Sequence, residues 1–458
     1  MQTHFPSDDG SDPGVGLLLA PFRGVRYDLS RVTGLANVTS PPYDVIGPGS
    51  LERLLAASPY NVVRLILPAS APDGGASGGS ASGEVAAGEV APGEVASARL
   101  REWLAEGVLA EDDTPALYVY EQRAADWVQR GLIGLVAVGT DAVHPHEGVM
   151  AGPVAGRREL MKKTRSNLEP ILLVYNGAAG AGGPGGLAAP GDASRLTDLT
   201  ADGQAPAACA VTDDGVTHRL WALTDPGTQA AIAADLATRT ALIADGHHRY
   251  AAYRGLRAEM SDAGGDSGPW DYGLAFLVDA DEYPLRLGAI HRVLPRLPLT
   301  EAVDRASEAF TVTAVTAATA FDRLAAAGES GTAFLLAGED GYWLLTDPDQ
   351  RQVEAAMPAA ASHRWRALDA SIMQELLLAQ LWLIKDNERD VLISHDAAEA
   401  VRMAADSGGT AVICNPMPLA AVMDIAAHGE KVPRKSTSFG PKPRTGLVLR
   451  TIDAELAL

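Results

Sequence analysis

Residues 241 to 260 read ALIADGHHRYAAYRGLRAEM, and they hold the densest concentration of reactive side chains in the chain. An apolar run leads into Asp245 and Gly246, then His247, His248, Arg249 and Tyr250, after which the pattern turns helical. Two of only ten histidines therefore stand at a strand-to-helix junction. Asp245 is suited to cap the helix with its carboxylate while Gly246 lets the backbone turn. The first helical turn then offers unpaired N–H groups. Together with the helix dipole, two imidazoles and the Arg249 guanidinium, these donors describe an oxyanion or phosphate site. Adjacent helical residues point about 100° apart, so two histidines and an arginine cannot all bury on one face without partners.

A second basic stretch, GEKVPRKSTSFGPKPRTGL at 429–447, sets Lys431, Arg434, Lys435, Lys442 and Arg444 beside Ser436, Thr437 and Ser438. It is no Walker A loop, because GxxxxGK[ST] is absent and the helical stretch MPLAAVMDIAAHG precedes it. In an acidic chain, its cations and hydroxyls make Lys435, Ser436 and Thr437 candidates for a second phosphate contact. The cation-rich stretch after residue 147, with Arg157, Arg158, Lys162, Lys163 and Arg165, reads as a solvated helix face. His144 and His146 flank a proline and, with His247 and His248, would permit a zinc site of hydrolase type. No HExxH spacing supports one.

Asp-Gly-His-His-Arg-Tyr at 245–250 resembles the signature of the ParB/sulfiredoxin-like fold, in the branch that contains the ADP-dependent free-serine kinase. It also resembles a bacterial and archaeal family of unknown function whose likeness runs along most of the chain. That likeness includes SPPYDVI (40–46), NVVRL (61–65), VHPHE (143–147), IHRVL (290–294) and KSTSFGPKPRTGL (435–447). Sulfiredoxin-like members carry a cysteine where this chain has His247, and ParB partition proteins add a helix-turn-helix module for which this acidic chain offers no support.

The kinase branch implies a glutamate base ahead of the phosphate turn, and VHPHE supplies Glu147. A carboxylate beside a substrate hydroxyl can take its proton as that hydroxyl attacks a phosphoryl group. The resemblance implies ATP or ADP as donor and a small hydroxylated metabolite as acceptor, free L-serine first among them. Mg²⁺ held by phosphate oxygens with Glu147 or Asp245 suits such a transfer, and Asp245 is the second candidate for the base. His146, Tyr250, His291, Arg292, Tyr43 and Asp44 are supporting or substrate-facing candidates. The chain departs from the family where Arg157-Arg158-Glu159 replaces Asp-Arg-Leu, and 97 residues (148–244) separate the two elements. A ParB-like nucleotide-binding regulator and a metal-dependent hydrolase are the alternatives.

The elements that must position these residues alternate between strand and helix patterns. VVRLILP, ALYVYEQ, GLIGLVAV, EPILLVY, HRLWALT, ALIA, YGLAFLV, TAFLLAG, GYWLLTD, AVICNP and TGLVLR read as strands, and SARLREWLAEGVL, AVDRASEAF and SIMQELLLAQLWL as helices. The expected class is mixed α/β (α+β): a central ParB/sulfiredoxin-like domain with additional N- and C-terminal α/β regions. The expected boundaries are a disordered tail at 1–15, an N-terminal region at 16–115, a catalytic region at 116–297 and a C-terminal region at 298–458. Residues 71–98, with Gly-Glu-Val recurring at Gly83, Gly88 and Gly93, read as a flexible insertion, and 176–192 as a second glycine-rich loop.

The 458 residues carry a formal net charge of −21, which opposes phosphate-backbone binding, so no nucleic-acid partner is expected. Two cysteines and no CxxC point to a reducing cytoplasm. The longest apolar runs are far shorter than the roughly 20 residues a bilayer requires, so no membrane partner is expected. A small metabolite and a nucleotide are the expected partners, with the oligomeric state open.

Overall fold

The computed structural model describes residues 16–69, 71–72, 89–177, 191–262, 267–387 and 389–452. The expected tail at 1–15, and most of both glycine-rich loops, lie outside them. The chain is mixed α/β and divides into two compact units. The first comprises 1–144, 149–285 and 441–458; the second comprises 145–148 and 286–440. The region 116–297 thus contributes to both, its residues 145–148 and 286–297 belonging to the second.

The first unit is built on a nine-stranded sheet. Its strands are β1 (Leu19–Ala20), β2 (Leu117–Arg123), β3 (Val128–Ala137), β4 (Val143–Pro145), β5 (Ile171–Tyr175), β6 (Ala208–Val211), β7 (Thr217–Leu223), β8 (Ala241–Asp245) and β9 (Tyr272–Asp279). The spatial order is β6-β7-β2-β3-β9-β5-β8-β4, with β1 alongside β3. β5 and β9 run parallel, Ile171 opposite Ala275, while β8 lies antiparallel to β5. The central strands read as unbroken apolar runs because both faces are covered; every residue of β5 and β8 is buried. Gly131 in β3 is needed where a Cβ would come within 2.2 Å of the Leu277 carbonyl oxygen of β9. Three long helices belong to this unit: α1 (Pro92–Ala105), α2 (Ala151–Thr164) and α3 (His247–Asp262).

The second unit has a six-stranded sheet of β10 (His291–Leu294), β11 (Thr311–Val315), β12 (Phe334–Gly338), β13 (Gly341–Thr346), β14 (Leu392–Ser394) and β15 (Thr410–Cys414). Its order is β11-β13-β12-β15-β10-β14, all pairs antiparallel. Two apolar clusters flank it, one around Phe334, Leu376 and Trp382, the other around Leu335, Ala400 and Ile413.

Local reading and fold part company at four places. VVRLILP is not a strand: Val63–Ile66 forms one helical turn whose Val63, Leu65 and Ile66 are buried. The 71–98 insertion ends early, because α1 starts at Pro92 and Ala96 is fully buried. TGLVLR reaches strand form only at Arg450–Thr451, paired with Ser166–Asn167. SIMQELLLAQLWL begins as α-helix at Asp369–Ile372 and widens into a π-helix over Met373–Leu381. In each case burial by distant neighbours outweighs the local pattern.

Candidate functional site

β8 ends at Asp245, Gly246 turns with φ 94, and α3 begins at His247. A side chain at Gly246 would be strained by that positive φ and would also press on Ile171, with its Cβ 2.9 Å from Cγ2. The turn closes through the Tyr250 amide, which donates to the Gly246 carbonyl at 2.9 Å. The Asp245 carboxylate is not the expected cap. Its Oδ2 pairs with Arg249 at 2.5 Å and its Oδ1 with the Lys442 ammonium at 2.6 Å. Lys442 also meets Asp44 at 2.5 Å, so one ammonium bridges two carboxylates.

Arg249 is 1% exposed and donates to the Pro170 carbonyl at 2.6 Å. Its guanidinium therefore faces inward and holds the strand end to the helix. Burial would lower its pKa, but Glu169, Asp245 and Asp44 outweigh that and raise it. Burial opposes the charge on Lys442 as well, and Asp245 and Asp44 reverse the effect, raising its pKa. Asp44 is pushed up by burial but drawn further down by Lys442 and Arg249. Glu169 is the exception: burial raises it despite Arg249 and Arg157. Its Oε1 accepts the Tyr43 amide at 3.0 Å, and Arg157 lies 3.6 Å away. Arg157 also covers the Tyr43 ring at 4.1 Å and donates to the Ile66 carbonyl, so it does not belong to the solvated face expected of α2. Arg158 and Lys162 do, sharing Glu259.

Of the remaining residues at this turn, His247 is buried, and His248 Nε2 accepts the Met150 amide at 3.1 Å. The Tyr250 hydroxyl accepts the Gly139 amide at 3.2 Å. The first unit thus gathers Tyr43, Asp44, residues 245–250 and Lys442 from three distant stretches.

The second unit gathers the other candidates. Glu147 Oε1 accepts the backbone N–H of Lys435 at 3.0 Å, where Lys435 adopts a left-handed φ of 55. His146, 1% exposed, has Nε2 3.0 Å from the Thr437 hydroxyl and its ring edge-on to Phe439. Ser436 donates its hydroxyl to the Pro433 carbonyl at 2.6 Å. Arg292 is buried and donates to the Arg434 carbonyl at 3.0 Å; burial lowers its pKa, with Glu147 among the groups opposing that. His291 Nδ1 accepts the Cys414 amide at 3.3 Å, and burial holds its pKa down to about 4.

Among the described residues no three His, Cys, Asp or Glu side chains form a metal-ligand group, so the histidine-based zinc site has no ligand set there. A metal ion at Asp245 would have to displace Lys442, so the expected Mg²⁺ ligation by Asp245 does not fit this arrangement. Cys209 and Cys414 are both free thiols.

Four contributors escaped the candidate list: Lys442, Glu169, Arg157 and Arg444. Arg444 donates to the Thr39 hydroxyl at 2.7 Å, and its amide donates to the Tyr120 hydroxyl. A faint signal existed for Lys442, which sits between prolines in a loop otherwise rich in small residues. Glu169 stands directly before Pro170 and the buried β5, where a charge demands a partner.

The class is thus a mixed α/β protein with a paired-charge strand-to-helix turn. The chain belongs to the family described as protein of unknown function (DUF1015), which matches residues 19–371. No curated protein matches it in sequence. Among solved structures it is similar to a free serine kinase variant in complex with ADP, at 15% identity and TM-score 0.34, covering 69% of this chain and 90% of that one. It is also similar to C-terminally truncated SbnI from Staphylococcus aureus, at 12% identity and TM-score 0.35, covering 70% and 87%. A conserved hypothetical protein from Pyrococcus furiosus follows at 14% identity and TM-score 0.31, covering 68% and 94%. Among the described residues no helix is long and apolar enough to cross a membrane.

Proposed function

We propose that the chain is a nucleotide-dependent phosphotransferase acting on a small hydroxylated metabolite. The observation that carries this reading is the turn at Gly246, where a sixteen-residue helix begins next to Asp245, whose carboxylate holds the partly exposed Lys442 ammonium. Helix N-terminus and cation together favour a phosphate. Lys442, with 20% of its side chain exposed, is the charge that meets the ligand, whereas Arg249 positions the turn from within. In the second unit, the Lys435 amide orients the Glu147 carboxylate, which takes the proton of the attacking hydroxyl. His146 Nε2, 3.0 Å from the Thr437 hydroxyl, ties the same two segments together.

The resemblance of residues 245–250 makes free L-serine the first acceptor to try. The test incubates the full chain with Mg²⁺ and β- or γ-labelled ADP and ATP, against pooled amino acids and sugars, and follows label into a small product. Transfer that requires Glu147 supports the reading. Release of inorganic phosphate without transfer would instead favour a hydrolysing regulator, and no turnover of either nucleotide would overturn it.

A further inference from the structure

The second unit contains a cavity of about 530 Å³ to which neither the turn nor Glu147 contributes. That is room for a drug-sized molecule. Leu368, Met373 and Met417 supply apolar wall, and Asp369, Asn415 and Ser436 supply polar atoms. Met373 opens the π-helical segment, a wide turn that places an adaptable thioether against the cavity.

The charges around this space are unequal. The one guanidinium on the wall, Arg364, is already bound by Glu430 at 2.7 Å and Asp424 at 3.2 Å. Asp369 is half-buried and receives the Thr332 hydroxyl and the Ala333 amide. No basic side chain pairs with it among the described residues. Burial raises its pKa, as expected for a carboxylate short of compensation. A neutral ligand would leave that charge uncompensated and an anion would be repelled, whereas an ammonium would supply the missing partner.

We infer that this cavity is a binding site for a small amine, whose ammonium pairs with Asp369 while its apolar body packs on Leu368, Met373 and Met417. The site is independent of the phosphotransferase reading and stands or falls by itself. Asn415 is held by its own donation to the Leu324 carbonyl at 3.1 Å, so the polar rim is ordered before a ligand arrives.

The test titrates the full-length protein calorimetrically with n-hexylamine, cyclohexylmethylamine and phenethylamine, and with the matched alcohol and carboxylate of each. The expected result is saturable binding of at least one amine, at least ten times tighter than its alcohol or carboxylate, and lost in Asp369→Asn and in the cavity-filling Ala421→Trp. Should either variant fold poorly, Cys414 provides a readout without touching Asp369. It lines the cavity, and burial pushes its thiol up to about 12. In a Cys209→Ser background, which removes the exposed thiol, methylthiolation of Cys414 by methyl methanethiosulfonate at alkaline pH, which forms the mixed disulfide and releases methanesulfinate, should slow at least fivefold when the amine is present. Absence of binding by all three amines, equal binding of the carboxylates, or unchanged Cys414 labelling at saturating amine would overturn the assignment.

Discussion

The ammonium of Lys442 lies 2.6 Å from Oδ1 of Asp245, joining the last stretch of the sequence to the strand end that opens α3. Because Asp44 shares the same ammonium at 2.5 Å, removing one cation exposes two carboxylates at once.

Lys442→Met keeps the length of the side chain and deletes its charge. Stability at neutral pH should fall by about 1–2 kcal/mol, at the low end because Asp44 is 35% exposed and solvent screens it. Lys442 holds the folded-state pKa of Asp44 below its usual 3.8, so that stabilisation is present above about pH 4 and lost as pH falls through the lowered value. Urea unfolding at pH 7 and pH 3 should show the difference between the two proteins shrinking in acid. Nucleotide affinity should fall roughly tenfold or more.

Arg249→Ala should act on the fold before it acts on a ligand. The substitution leaves Asp245 and the buried Glu169 without their shared cation, and breaking such a buried pair costs about 3–5 kcal/mol. Denaturant titration should register that loss. A variant of unchanged stability with tenfold weaker nucleotide binding would instead place the guanidinium on the ligand.

Glu147→Gln separates binding from chemistry. The amide oxygen still accepts the Lys435 N–H, so the loop keeps its shape. Nucleotide affinity should hold while turnover drops by about 10²–10⁴. Equal turnover in the two proteins would make Glu147 a loop anchor and no more.

His291 predicts an acid-sensitive second unit. The unfolded chain takes up this proton near pH 6.5, the folded one only near 4, so between those values falling pH favours unfolding. The histidine contributes a loss on the order of 3 kcal/mol across that window. In His291→Asn, which keeps an acceptor for the Cys414 amide, the stability difference between pH 7 and pH 4 should be smaller by a comparable amount. A pH profile unchanged from that of the parent would show that His291 does not titrate in this range.

Replacing 73–88 with a short Gly-Ser link should leave the unfolding midpoint and activity nearly unchanged, since loop-closure cost varies slowly with length. Extending the deletion through residue 98 should cost more than about 2 kcal/mol, because Ala96 is fully buried and Gly93 packs on Lys163. Thermal melts of the two deletions decide between a shared and a divided outcome.

The sequence announced the mixed α/β class through runs such as EPILLVY and YGLAFLV, because strands buried on both faces must be apolar throughout. It also announced the turn at 245–250, because a glycine between a strand pattern and a helical one admits the positive φ that such a turn uses. What it did not announce was direction. Arg249 looked like a phosphate donor because local spacing is silent about Pro170 and Glu169, which draw the guanidinium inward. The role of Lys442, named only as one cation of the 429–447 run, was hidden for the converse reason: its partners Asp44 and Asp245 are distant in sequence, and no periodicity links them. Within 429–447 the basic residues formed a single run, yet Lys435 through Thr437 belong with Glu147 and His146, while Lys442 and Arg444 belong with the first unit.

The first unit also borrows its closing piece from the end of the chain: Lys442, Arg444 and Arg450, the last fully buried and bonded to Asn167, Tyr272 and Pro269. During synthesis, the ribosome releases these residues only after the whole of 286–440 has emerged. Domains made of one continuous stretch can fold as they leave the ribosome; this one must wait. The nascent first unit carries Asp44 and Asp245 without Lys442, the ammonium they share, so its consolidation waits until the second unit has been synthesised.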